Sequence, residues 1–277
     1  MSDPVPAILE GEARGETARI FADIRETLGS PVVNLIWRHL ATVDGGLEWA
    51  WTAARPIYAG RQAQAAAARL YARLDPPLPC PLPPGALAAV GVSAADLPRL
   101  RAVADGYNRG NGPNLVALTA LLVDPAGTAP ADPVPAAGAP APLPPLISEP
   151  DVDPQTWALV KAINLLGARP DEPILATMYR HLANWPGFLA LMHAAWAPLA
   201  ADGRFEAAIG RARALSREEA ARLANLRADA GPAPEAARAA LVEFTDHVIS
   251  RMVPVGVALA RWLPSFAAAK GAAPQDE

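Results

Sequence analysis

Apolar residues in this chain recur at helical spacing. Ile174, Met178 and Leu182 stand at i, i+4 and i+8, which draws one apolar stripe down a helix and turns the residues between them outward. No stretch alternates apolar and polar residues with the period of two that a half-buried strand needs, so no strand is predicted. Local signals support helices. Ser30-Pro31, Asp153-Pro154 and Glu172-Pro173 place proline at a first helical position, where its missing N–H costs nothing. Gly29 and Gly167, each after a leucine, suit left-handed caps at helix ends. Ser93-x-x-Asp96 and Ser216-x-x-Glu219 have capping-box spacing. The two most apolar stretches, 183–201 and 252–269, are broken by His193 or Arg261 and by two prolines each. Neither reaches the ~20 uninterrupted apolar residues that a bilayer requires, so both read as buried core helices.

The pattern repeats. Residues 31–56 read PVVNLIWRHLATVDGGLEWAWTAARP and residues 173–198 read PILATMYRHLANWPGFLALMHAAWAP, identical without gaps at nine of 26 positions. Arg-His-Leu-Ala recurs at 38–41 and 180–183, and each block follows a Leu-Gly pair. Such self-similarity predicts two copies of one helical unit related by an approximate two-fold axis. Between them, residues 124–150 hold nine prolines in 27 positions, half of the remainder being alanine or glycine. Too few backbone donors and too little apolar bulk remain for a helix, so this stretch is expected to be an extended, protease-sensitive tether. The expected organisation is therefore all-α: repeat 1 over 1–123, a Pro/Ala-rich linker over 124–150 and repeat 2 over 151–277.

Composition narrows the function classes. Hydrophobic residues make up 52% of the 277, much of it alanine, with only 6% aromatic, which favours helices packed through small side chains. A net charge of −4 gives no basic footprint for nucleic acid. The start, Met1-Ser2-Asp3-Pro4, has neither the basic residues nor the apolar core of a signal peptide, so a cytoplasmic location away from membranes is expected. Cys80 is the sole cysteine and lies between prolines, which rules out an internal disulfide or a CxxC redox pair.

Candidate chemistry is sparse. No HExxH, P-loop, GxGxxG or GxSxG pattern occurs, so no metal and no cofactor is expected. His39 and His181 hold equivalent places near helix ends, where a ring nitrogen can meet the last carbonyls. Arg38 and Arg180 could each receive a carboxylate, either a ligand's or one from the chain such as Asp44 or Glu48. Trp37, Trp49, Trp51, Trp185 and Trp196 read as core. Tyr107-Asn108-Arg109-Gly110-Asn111-Gly112-Pro113 lies between helical runs and reads as a kink at 110–113, with the asparagines meeting freed carbonyls or a ligand.

The twin repeats, the PVVNLIWRHLAT block, the YNRGN block and HLANWPGFL together resemble the group I 2-haloacid dehalogenase family, also described as halocarboxylic acid dehydrogenase-like. The likeness covers most of both halves and fails mainly in the tether. It implies an all-α fixed pseudo-dimer with a site between its halves and a small organic acid as ligand, with a homo-oligomer also open. The family reaction it implies is hydrolysis of 2-haloalkanoic acids, an aspartate activating a water that attacks C2 directly. Carried over residue by residue, the water-holding asparagine falls on Asn111. The family's serine–aspartate pair falls on Thr177 and Met178, so the hydroxyl survives and the base does not. Pocket-lining aromatics fall on Val32 and Leu35, which implies a wider pocket, and Arg38 joins them as a candidate substrate contact. Asp171 or Glu172 would be the nearest replacement base. The resemblance thus leaves open an active hydrolase, a silent homologue that binds a small acid, and a helical interaction module. A fainter echo of alkylhydroperoxidase and carboxymuconolactone decarboxylase helices lacks the CxxC pair those peroxidases use.

Overall fold

The computed structural model describes residues 5–83, 85–128, 138–169 and 174–268, and every regular element among them is helical. In the first half, α1 (Gly15–Leu28), the short α2 (Leu35–Leu40), α3 (Gly46–Ala59) and α4 (Gln62–Arg73) lead through a four-residue turn, α5 (Ala86–Ala89), to the long α6 (Asp96–Ala120). In the second, α7 (Pro154–Asn164), the short α8 (Thr177–Leu182), α9 (Pro186–Ala201) and α10 (Arg204–Leu223) precede α11 (Glu235–Glu243), a π-helical stretch Phe244–Ile249 and α12 (Ser250–Ala268). No helix among the described residues is long and apolar enough to cross a membrane.

Several local signals act as expected. Gly29 closes α1 in the left-handed region (φ 60°) and returns its N–H to Glu26. Asp153 caps α7 by accepting the Thr156 N–H at 2.9 Å, with Pro154 in the first helical position. The Asp96 carboxylate takes both the Ser93 N–H and its hydroxyl at the head of α6. Others do not. Pro31 does not start α2: Ser30 forms its own turn, its hydroxyl donating to the Val32 carbonyl, and the helix begins at Leu35. Pro173 lies outside the described residues. Ser216 and Glu219 sit inside α10, and Glu219 (1% exposed) instead joins Arg69 of α4 at 2.7 Å.

Through 110–113, where the kink is expected, α6 continues as one helix with Pro113 inside it. Its glycines serve close packing. A Cβ on Gly110 would stand 2.6 Å from the Asn34 side-chain oxygen, and one on Gly112 would stand 2.2 Å from the Tyr71 hydroxyl. Both are far inside van der Waals contact, so these positions fix how near α4 and the start of α2 can come. Helix α6 packs on α4, α10 and α12, from both halves of the chain. The two apolar cores follow suit. One joins Trp37, Trp51, Tyr58 and Leu118 to Leu223, Phe244 and Val253; the other joins Leu100 and Tyr107 to Trp157, Met178, Phe188 and Trp262. Neither half owns a core.

Gly112→Ala is expected to destabilise the chain by about 1–3 kcal/mol or more, since Tyr71 cannot withdraw without leaving its 2.6 Å bond to the Asn108 carbonyl. Gly210→Ala in α10, where an added Cβ meets nothing within 4 Å, should instead stabilise it by up to about 1 kcal/mol. Urea denaturation of both variants checks the contrast.

Candidate functional site

The two short helices α2 and α8 carry the residues singled out in the sequence, and each is held at its entrance by a side chain from elsewhere. In the first half, Glu10 accepts the Val33 N–H at 2.8 Å, which pins the loop 31–34. Asn34, just before α2, does not cap its own helix. Its amide reaches α6 and donates to the Asn111 side-chain oxygen at 3.2 Å. In the second half, Asn164 brackets the approach to α8 by donating to the Ile174 carbonyl (3.1 Å) and accepting the Ala176 N–H (3.0 Å). The buried Arg251 guanidinium donates in turn to the Asn164 backbone carbonyl.

Two adjoining cavities lie between these helices. The inner one, about 40 Å³, is lined by Asn34, Leu35, Asn111, Thr177 and Met178 together with Phe244, Val248 and Ile249 of the π-helical stretch. That volume holds a few waters at most. Thr245 and Ser250 donate back to carbonyls four residues earlier, bracketing the π-helical stretch. The outer chamber, about 250 Å³, shares Asn34, Leu35, Tyr107 and Thr177 with the first and adds Glu10, Val32, Arg38, Leu146 and His181. It falls below the ~300–1,000 Å³ typical of drug-sized ligands, which suits a molecule of few heavy atoms.

All six sequence-derived residues thus meet around one space. Asn111 and Met178 line the inner cavity, Val32 and Arg38 the outer, and Leu35 and Thr177 both. Met178 is fully buried in an apolar wall, and among the described residues no aspartate or glutamate lines the inner cavity. Asp171 and Glu172 lie outside the described residues. Arg38 is buried (4% exposed), whereas Asp44 and Glu48 are exposed. No three His, Cys, Asp or Glu side chains among the described residues gather as a metal site.

The histidines behave differently from the expectation. Rather than meeting the ends of their own helices, His39 Nδ1 faces the Pro6 carbonyl (2.7 Å) and His181 Nδ1 the Pro144 carbonyl (2.9 Å). A carbonyl only accepts, so Nδ1 carries the proton in each. Pro6 and Pro144 belong to two irregular stretches laid over the site. The first is also tied by the Ile8 N–H to the Arg38 carbonyl, and the second by Arg180 to the Ile147 carbonyl and by Asn184 to the Pro145 carbonyl. Residues 138–148 of the expected free tether are therefore bound to the body and give the chamber Leu146; residues 129–137 lie outside the described ones.

Sequence reasoning missed Glu10, Asn34, Tyr107, Leu146 and the π-helical wall. Glu10 and Leu146 sit in segments without periodicity, and they reach the site only through the fold. Asn34 stood within the repeat, but its counterpart is Ala176.

No protein-family model and no curated protein sequence matches the chain. The geometry is that of a known helical architecture, the fold of the 2-haloacid dehalogenases. Three solved structures share it over nearly the whole length. A D-2-haloacid dehalogenase in complex with L-LA aligns at TM-score 0.69 and 19% identity, covering 97% of this chain and 97% of that one. A mutant of such an enzyme aligns at 0.67 and 18%, covering 97% and 96%. A mutant in complex with D-2-CPA aligns at 0.64 and 17%, covering 96% and 99%. The resemblance seen in the repeats and the YNRGN block therefore holds for the fold.

Burial holds the His181 pKa below its usual 6.5, and the nearby Arg180 and Arg38 charges push the same way against the Pro144 and Pro145 carbonyls. A lowered folded-state pKa means that protonation favours the unfolded chain. The stability this neutral ring confers is complete above about pH 6.5 and is lost as pH falls below it. Stability measured between about pH 7.5 and 5 should therefore drop in the natural protein and drop less in His181→Gln.

Proposed function

We propose that the chain binds a small carboxylic acid in the chamber between its two halves and does not hydrolyse 2-haloacids by the water-attack route. One observation carries this reading. The inner cavity brings Asn111, Thr177 and Met178 together, yet among the described residues that line it no carboxylate or imidazole stands ready to accept a proton from an attacking water. A positioned general base is worth roughly 10²–10⁴-fold, and a thioether replaces it at no accessible pH. Arg38, buried at the chamber wall, is the residue read as receiving the ligand carboxylate, with Val32, Leu35 and Thr177 around it. A defined chamber of ligand size speaks against the interaction-module alternative.

We also read the chain as a duplicated unit fixed in one polypeptide. Supporting this, α2 and α8 lie at the same offset as the two sequence blocks. Arg61 and Gly203, at that offset too, both take left-handed conformations just before α4 and α10. The paired His–Pro carbonyl contacts point the same way.

The purified protein is expected to release little or no chloride from 2-chloropropionate near neutral pH, by a halide assay. Met178→Asp should either give weak release, which rises with pH because burial lifts the new carboxyl's pKa, or lower the melting temperature by leaving an unpaired acid in an apolar wall. Efficient release by the natural protein that Asp171→Asn or Glu172→Gln abolishes would replace the silent reading with a loop carboxylate as base. Efficient release untouched by either change would remove Met178 from the site.

A further inference from the structure

The outer chamber carries more polar function than a simple carboxylate needs. Besides the cationic Arg38 its lining includes Glu10, which is half-buried, with apolar Leu9, Val32 and Leu146. Glu10 is held but not saturated. One oxygen accepts the Val33 N–H and the other faces Arg25 at 3.4 Å, while a carboxylate offers about four lone-pair sites. A second acceptor belongs to a residue of the same lining. The Asn34 side-chain oxygen is buried and has no hydrogen-bond partner, although its amide nitrogen is engaged by Asn111. An orphaned buried acceptor is costly unless a bound molecule donates to it.

We propose that the ligand of this chamber is a short-chain 2-amino acid in its zwitterionic form. Its carboxylate meets Arg38, its ammonium donates to Glu10 and the Asn34 oxygen, and its small side chain rests on Leu146 and Val32. This rests on the small-acid reading above and narrows it. A ligand with chlorine at C2 fits the same volume but can neither donate to Asn34 nor offset the Glu10 charge. A 2-hydroxy acid can do the first and not the second. The placement of opposite charges in one small apolar chamber distinguishes the zwitterion from all singly charged acids of the same shape.

The test compares four propionates that differ only at C2: alanine, lactate, 2-chloropropionate and propionate itself, each titrated calorimetrically into the full-length protein. Alanine is expected to bind the tightest. Glu10→Gln, which keeps an acceptor for the Val33 N–H, is expected to weaken alanine by roughly tenfold or more while leaving the three other acids no weaker, or tightening them as the like charge is removed. Leu146→Trp, which fills the chamber from an irregular segment, is expected to abolish binding of every ligand. If lactate or 2-chloropropionate binds as tightly as alanine in the natural protein, the amino-acid inference is overturned and the small-acid reading survives. If alanine binds best but ignores Glu10→Gln or Leu146→Trp, the assignment to this chamber falls. If none of the four binds, the small-acid reading fails and takes this inference with it.

Discussion

Close approach to helix α6 is the constraint on which the other contacts depend. Three different elements come to rest against its glycines: the Asn34 amide at Gly110, the Tyr71 ring at Gly112 and Leu143 of the overlying segment at Gly106. The relation also runs the other way, since Asn108 of α6 donates to the Gly256 carbonyl, where a Cβ on that glycine would lie 2.2 Å from the Asn108 oxygen. Side chains on α6 therefore appear only where neighbours leave room. Tyr107 and Asn111 face the site, and the fully buried Asn114 faces the tryptophan core, where its oxygen accepts from both Trp37 and Tyr58. One helix thus sets the depth of α4, the entry to α2 and the floor of both cavities.

Buried amides do the positioning around it. Asn111 with Asn34 and Asn164 with Ile174 and Ala176 hold the approaches to α2 and α8, the two helices that flank both cavities. Such bonds are individually modest, near 1 kcal/mol net, but a buried amide stripped of its partners costs more than the bond was worth, which makes each approach close to all-or-none. The site that results is divided. Its inner end is apolar and closed by Met178 and the π-helical wall, and its outer end carries Arg38, Glu10 and a neutral His181. Among the described residues no carboxylate or imidazole lines the end next to Asn111, whereas charged side chains gather one step further out.

Much of this arrangement was legible in the chain. Helical spacing, the Leu-Gly caps, Asp153-Pro154 and the absence of any strand pattern suffice for an all-α fold; the resemblance carried over Asn111, Thr177, Met178, Val32 and Leu35, and Arg38 stood out as a guanidinium suited to a carboxylate, and the fold places all six around one space. What stayed hidden depended on contacts distant in sequence. Proline and glycines at 110–113 signal only a kink when read locally, but in α6 the glycines answer to neighbours up to 76 residues away, as Asn34 is from Gly110. Proline-rich 138–148 signals a free tether, yet its carbonyls, which a proline cannot block, are taken by Arg180, His181 and Asn184. Glu10 carries no local signal at all. Its place follows from the Val33 N–H that it accepts.

The Arg-His-Leu-Ala motif shows what a single polypeptide makes possible. In the first half its arginine lines the chamber, while in the second the same arginine turns to the Ile147 carbonyl and the Ser148 hydroxyl. Two identical subunits assembling through the same surfaces would have to change both arginines at once, because each mutation appears on both sides of the axis. Here each occurrence of the motif can drift alone. One can line the chamber and the other can hold the covering segment, and neither change has to be tolerated twice.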